Sequence, residues 1–500
     1  MKNNRKDRKK AVIRIVALVL ALLMVLGVIT SAIFAAYAEE AEPACRMTVT
    51  VTGGDTSAFV SQTVTYVNRT GDPLDGVLFQ VYGNLFRRES ALPYENDVLE
   101  DAFPAGYAPA GLLFYQITVD GEDCEWAMQG EDEIFLRVGV TLEPGQACEI
   151  TFNYYVLTTE NSAFLGAGAE DWRFFRFYPA ACVYLYGEFQ TVAPRDFCDY
   201  GWTDCETYDV TVIVPSEYTV AAPGTIQSET DTDGIRTVHT RVENARDLGF
   251  LISRKYRAET APTACGTEVC VYGEGRKDVS RALGYAVKAL DYLESRFGAY
   301  PAGRLVLAES QCVPDAEAAY GIIAVNRDIF SKKDELEREI AFMTAKQYFG
   351  KIVSADPARE IWLTDAVSRY LEYLYIRAEK GEKAFASAID RELRPALQMT
   401  VPGGLSPDAY TSLFQTGYEY EVVLLDRGSA ALNELRKLTG FDVFERALAA
   451  YYEDAAFGIG TLESFVAAFN AESGRTLDYF IVDTLMNIGD YANEVLEHYE

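Results

Sequence analysis

The hydrophobic period of this chain changes near residue 260, and that change constrains its fold more than any other feature. Before it, apolar and polar residues alternate. Arg46–Val51 and Ser61–Val67 show the period of two, with β-branched residues, that half-buried strands require. Phe114–Val119, Glu133–Val140, Glu149–Val156 and Tyr208–Val214 continue it between turn clusters such as Asp120-Gly121-Glu122 and Pro144-Gly145. To about Tyr256 the chain reads as one antiparallel β domain. Beyond Thr260–Thr263, Asp278–Phe297 carries Val279, Leu283, Ala286, Leu290 and Leu293 at helical spacing. Cys270–Tyr272 and Leu305–Leu307 read as short strands, the second followed by a loop through Pro314. From Asp334 the pattern predicts helices over 334–349, 364–379, 383–398, 418–438, 441–453, 461–471 and 476–488. Gly350, Gly381 and Gly440 stand as C-terminal stops. A chain of 500 residues exceeds one ordinary core, so more than one domain is expected.

Charge excludes one class of partner. The chain holds 75 acidic and 45 basic residues, a formal charge of −30, and no basic stripe interrupts the acidic surface. Such a surface repels phosphate backbones, so no nucleic-acid partner is expected.

Seven of the bases fall in the first fourteen residues: Lys2, Arg5, Lys6, Arg8, Lys9, Lys10 and Arg14. They lead into Ile15–Phe34, an uncharged run of bilayer-spanning length. The expectation is a basic cytoplasmic start and anchor over 1–38, in a single-pass cell-membrane protein with its domains outside the cytoplasm. Ala36-Tyr37-Ala38 has the small-x-small pattern of a signal-peptidase site, so the alternative is a secreted protein cleaved at Ala38. Nine cysteines follow. In an oxidising compartment Cys198/Cys205 or Cys265/Cys270 could close short loops; the competing reading is buried, unpaired thiols. No Cys-x-x-Cys spacing marks a zinc knuckle.

Specific stretches narrow the fold. Val64-Thr65-Tyr66-Val67-Asn68 with Leu78–Phe86, Gln347-Tyr348-Phe349-Gly350-Lys351-Ile352-Val353, and Ile361–Ala366 with Tyr370-Leu371-Glu372 resemble blocks of metallopeptidase family M1, the gluzincin aminopeptidases. Arg427-Gly428, Leu438-Thr439-Gly440, Phe444 and Phe465–Asp478 resemble the family's later helices. The resemblance implies an α+β multidomain fold. An antiparallel β domain over 44–258, an aminopeptidase-N-like saddle, would precede a thermolysin-like, mostly α-helical peptidase domain over 262–500, with a cleft between them.

The resemblance also implies a site. The family places His-Glu-x-x-His on one helix, so that two imidazoles four residues apart bind zinc and the intervening glutamate serves as base. A glutamate on the next helix completes the ligands, a tyrosine steadies the oxyanion, and a Gly-x-Met-Glu-Asn loop binds the substrate amine. Aligned on Gln347–Gly350, the first histidine falls on Phe342, the base on Met343 and the second histidine on Lys346. Aligned on Leu363 and Tyr370, the ligand glutamate falls on Asp365. The tyrosine falls on Leu425. On Tyr320-Gly321-Ile322, the amine-binding glutamate falls on Ala318, with Glu317 one place early. A shift of register cannot repair this, because the chain has two histidines, His239 and His498. The expected site is therefore a degenerate cleft of Phe342, Met343, Lys346, Asp365, Glu317, Tyr320 and Leu425, with no metal, no cofactor and no catalytic residue.

No Gly-x-Ser-x-Gly, Ser-x-x-Lys or phosphate-loop pattern offers another chemistry. Glu317 and Asp365 could form a carboxylate pair for acid–base or glycosidic work. Lys346 and Asp365 are expected instead to pair where zinc would sit, and Tyr418 and Tyr420 to pack a helix face. The reading is an exported, membrane-anchored pseudopeptidase that binds a peptide or protein in its cleft; the alternative is a peptidase or carboxylate-based hydrolase with a rebuilt site.

Overall fold

Strand alternation builds the first half. The computed structural model describes residues 44–488, apart from 52–56, 93–95, 131, 169, 196, 199–200, 312–314 and 402–404. Cys45–Val51 buries Cys45, Met47, Val49 and Val51 and turns Arg46 and Thr48 outward. Ala147–Leu157 does the same with Cys148, Ile150, Phe152, Tyr154 and Val156. They join an eight-stranded sheet in the order Thr225–Thr232, Ile235–Ala245, Glu206–Pro215, Cys45–Val51, Ser57–Val67, Ala147–Leu157, Gly111–Val119 and Glu122–Asp123. Its pairings are antiparallel except that of Cys45–Val51 with Glu206–Pro215. A smaller sheet containing Asp171–Phe175 and Gly249–Ser253 packs aromatic rings into the same core, with Phe174 stacked on Phe250 at 4.6 Å.

Residues 259–261, left between the two expected domains, lie within the strand Arg257–Pro262. This strand opens a five-stranded sheet ordered Arg257–Pro262, Glu268–Gly273, Arg304–Ser310, Ile322–Asn326, Ala316–Ala319. Three of these strands run parallel, and the first parallel step needs a crossover, which the Arg276–Phe297 helix supplies. The hairpin formed by Ala316–Ala319 and Ile322–Asn326 was not expected. Gly321 makes it possible at φ +79°, a conformation that costs glycine little. The segment expected as one helix over 418–438 is a continuous helical run over 417–439, with its winding widened to a π-helix over Tyr420–Arg427 before Gly428–Thr439. Gly428 lets this segment press against the Asp365–Lys380 helix, where an added Cβ would meet the Ala366 Cβ at 2.6 Å.

Buried polar groups tie the two halves together. The Arg246 guanidinium donates to the carbonyls of Thr203 and Gly458, and Ser310 donates to Asp171, which is itself paired with fully buried Arg173 at 3.1 Å.

Two expectations are corrected. Among the described residues no helix is long and apolar enough to cross a membrane, which overturns the single-pass cell-membrane placement. The longest, Arg276–Phe297, keeps a charged face that a bilayer would exclude. The run Ile15–Phe34 and the cleavage pattern at Ala38 lie outside the described residues. The loop-closing disulfides do not form either: Cys198, Cys205, Cys265 and Cys270 are in no disulfide, nor are Cys45, Cys124, Cys148 and Cys182. Cys270 faces inward from a strand whereas Cys265 is exposed, so their side chains serve different environments.

Candidate functional site

Two helices and one edge strand make the cleft. The Lys333–Tyr348 helix presents Phe342, Met343 and Lys346 on one face, as spacings of one and four residues dictate. The Asp365–Lys380 helix begins opposite them. Together with Ala316–Ala318 of the edge strand and Tyr420, Glu421 and Leu425 of the π-helix, they enclose a cavity of about 280 Å³. Arg176, Phe197 and Cys198 close it from the β-rich half.

Asp365 is the centre of its charge pattern. The Lys346 ammonium donates to both carboxylate oxygens, at 3.0 and 3.1 Å, the Tyr420 hydroxyl donates to one at 2.8 Å, and the Thr364 hydroxyl to the other at 3.1 Å. Asp365 is also the first residue of its helix, where the free N–H groups favour an anion. Phe342 lies under a cation: the Arg369 guanidinium carbon sits 4.2 Å from the ring centroid, and Arg369 also binds buried Glu372 at 2.7 Å. Met343 and Leu425 are buried apolar walls.

Glu317 lines the cavity but is not free for acid–base work, because Arg176 pairs with it at 3.3 Å. Tyr320 is the expected cleft residue that the structure places elsewhere. It starts the hairpin turn with its ring in the core, 6.0 Å from Tyr300, and its backbone N–H donates to Asp247. Phe342, Met343, Lys346, Asp365, Glu317 and Leu425 do meet in one cavity. Tyr418 is exposed, whereas Tyr420, expected to pack a helix face, sends its hydroxyl into the site.

Several members of the site escaped the sequence reading. Glu339 is half-buried one turn before Phe342, and its carboxyl is pushed up to about 7, chiefly by burial, against the pull of Arg369. Asp426, on the π-helix but outside the cavity lining, is likewise raised to about 7 by burial. The helical face 339–342–343–346 would have revealed Glu339, and i+4 spacing from Asp365 would have revealed Arg369. Arg176 comes from a distant strand end, for which no local pattern exists.

This architecture, a β-rich domain joined to a helical one with a cleft at the seam, defines a class: the two-domain zinc metallopeptidase fold. The M1 zinc metallopeptidase of Deinococcus radiodurans superposes with a TM-score of 0.64 and 16% identity over 88% of this chain and 93% of that one. A mutant of the two-domain M1 enzyme bound to L-arginine gives 0.61 over 91% and 92%. In sequence, aminopeptidase N of Lactococcus lactis is 23% identical over 250 residues, 45% of this chain and 28% of that protein. Aminopeptidase M1-B of Oryza sativa is 23% identical over 288 residues, 54% and 33%. The chain thus spans about a third or less of these relatives' length. No family model matches. The sequence relatives are M1 aminopeptidases and the structural neighbours M1 zinc metallopeptidases, and the chain shares their fold.

The residues here do not fit the metal that this fold implies. A phenyl ring, a thioether and an ammonium face the cavity where ligands and base would stand, and the one carboxylate opposite them is engaged by that ammonium. Among the described residues no three His, Cys, Asp or Glu side chains are grouped to hold a metal ion. His239 lies on the eight-stranded sheet bound to Asp209 at 2.7 Å, and His498 lies outside the described residues.

Proposed function

We propose that this protein is an aminopeptidase-like binding protein that works without catalytic zinc and holds a peptide or protein segment in its cleft. The observation that carries this reading is the Lys346–Asp365 ion pair, an internal cation at the place where the family's metal would stand. A dication brought beside that ammonium would be repelled. Two features support a peptide-like ligand. Ala316–Ala319 is an edge strand along the cavity, and such an edge offers backbone groups to an added strand. The cleft's cations are paired: Arg176 with Glu317, Lys346 with Asp365, Lys351 with Asp247 and Arg369 with Glu372. Asp315, Glu339 and Glu421 line the same cavity and form no ion pair among the described residues. The surplus is negative, so an amine-bearing or basic peptide fits better than an acidic one.

A second reading is a carboxylate-based hydrolase. Glu339 favours it rather than Glu317: it is a carboxyl held near 7 by burial that lines the same cavity as Asp365.

Elemental analysis of the purified chain, turnover of aminoacyl and glycoside fluorogenic substrates, and thermal-shift screening with basic and acidic peptides separate the readings. The binding role expects no stoichiometric zinc, no turnover, and stabilisation by basic peptides that weakens in Glu339→Gln. Metal-dependent amino-acid release would overturn it. Metal-free turnover abolished in Glu339→Gln would establish the hydrolase.

A further inference from the structure

A larger cavity, about 580 Å³, lies outside the cleft, between the end of the Ser57–Val67 strand, the Tyr184–Phe189 hairpin and the start of Glu206–Pro215. Its lining is unusual in combining aromatic rings with acid. Tyr66, Tyr184, Tyr186, Tyr208 and Phe457 contribute the rings, and Asp204 and Glu206 the carboxylates. Tyr66, Tyr184 and Phe457 are half-buried. Phe457 reaches the cavity from the helical domain, where its backbone N–H donates to the Ile352 carbonyl. Tyr186, exposed at the hairpin turn with Gly187, and Phe457 are both at positive φ, 56° and 60°, a conformation that aromatic residues rarely adopt.

Charge decides what this cavity can take. Glu206 is the inner carboxylate, with a side chain 29% exposed, and among the described residues its ion-pair partner is the Arg69 guanidinium, 3.8 Å away and 67% exposed. No hydrogen bond to the Glu206 carboxylate is formed within the described residues. Burial pushes this carboxyl up to about 7, with Arg69 only partly opposing and nearby Asp204 adding to the rise. A partly desolvated carboxylate so weakly paired gains from a cation that enters beside it. Ring faces attract the same cations through their quadrupoles.

We propose that this cavity is a second ligand site that binds a small organic ammonium cation, with Glu206 as the counter-charge, Asp204 at the rim, and Tyr66, Tyr184, Tyr186 and Phe457 as aromatic walls. A bound ammonium takes the place beside Glu206 that Arg69 now holds at 3.8 Å, and the exposed Arg69 side chain moves into solvent. Primary and quaternary ammonium ions share the chemistry, but only the primary ion donates hydrogen bonds to the carboxylates.

Isothermal titration of the full chain with n-butylammonium and with tetramethylammonium tests this. Saturable binding of at least one ion is expected. Glu206→Gln should weaken it about tenfold or more, and Tyr66→Leu about threefold to thirtyfold, the range for partly desolvated cation–π contacts. Tighter butylammonium binding would identify a primary amine as the ligand class, and tighter tetramethylammonium binding a quaternary one. Arg69→Ala serves as a fold-neutral surface variant and should tighten binding. No saturable heat with either ion, or an affinity unchanged in both Glu206→Gln and Tyr66→Leu while their melting curves match the parent, would overturn the proposal.

Discussion

At the scale of single residues, the Lys346–Asp365 pair is the strongest commitment the cleft makes. The two side chains are 12% and 4% exposed, so each is compensated mainly by the other. Asp365→Asn should therefore cost about 3–5 kcal/mol by leaving the ammonium uncompensated, and adding Lys346→Met should recover most of that loss. Urea denaturation of the two single variants and the double variant measures this. The raised carboxyls make a second prediction. Glu339 and Asp426 are held up to about 7, well above their unfolded values, so the folded state binds more protons between those limits. Their stabilising contribution is full below an unfolded pKa of about 4 and is lost as the pH rises through about 7. The urea midpoint should fall between about pH 5 and about pH 8, and Glu339→Gln should flatten that slope. A midpoint rising over this range in the parent would contradict the assignment.

At the scale of elements, helical geometry puts Phe342, Met343 and Lys346 on one face, and the same geometry would serve metal ligands. The variant Phe342→His, Met343→Glu, Lys346→His, Asp365→Glu should acquire about one zinc per chain, by elemental analysis, if the Lys333–Tyr348 and Asp365–Lys380 helices keep the spacing a tetrahedral site needs. A folded variant that binds none would show that the two helices have drifted apart. These helices were readable because their apolar residues repeat every 3.6 positions over four turns or more. The Ala316–Asn326 hairpin was not, because its strands are four and five residues long and nearly all apolar, which suits a strand or a buried helix equally. The π-helix was hidden for a related reason. Its residues have helical spacing, and only packing of the following Gly428 against Ala366 shows where the winding changes.

At the scale of the whole molecule, the β-rich and helical halves both line the cleft, whereas the second cavity lies in the β-rich half with Phe457 reaching it from the helical half. None of the eight described cysteines forms a disulfide, so the described core rests on packing and buried polar bonds rather than on covalent staples. Thiol titration of the unfolded chain, without prior reduction, should count at least eight reactive groups. A lower count would place disulfides in the native protein. The acidic excess of the chain acts at this scale too. Association with basic peptides should quicken at low salt and slow as salt is added, because charges beyond a Debye length of about 10 Å at 0.1 M are screened.

Most of the strands and helices, and the side chains that the Lys333–Tyr348 helix turns to one face, followed from the sequence alone. Periodicity is local, and a helix fixes which side chains share a face before any tertiary contact forms. Family blocks such as Gln347–Val353 then fixed where in the fold that face lies. What only the tertiary structure decided was which distant groups meet there. Arg176 neutralises Glu317, Tyr420 binds Asp365, and Tyr66, Tyr186, Glu206 and Phe457 gather around one cavity. These partners lie tens to hundreds of residues apart in the chain. Their meeting depends on how sheets and helices stack, and no local pattern records that.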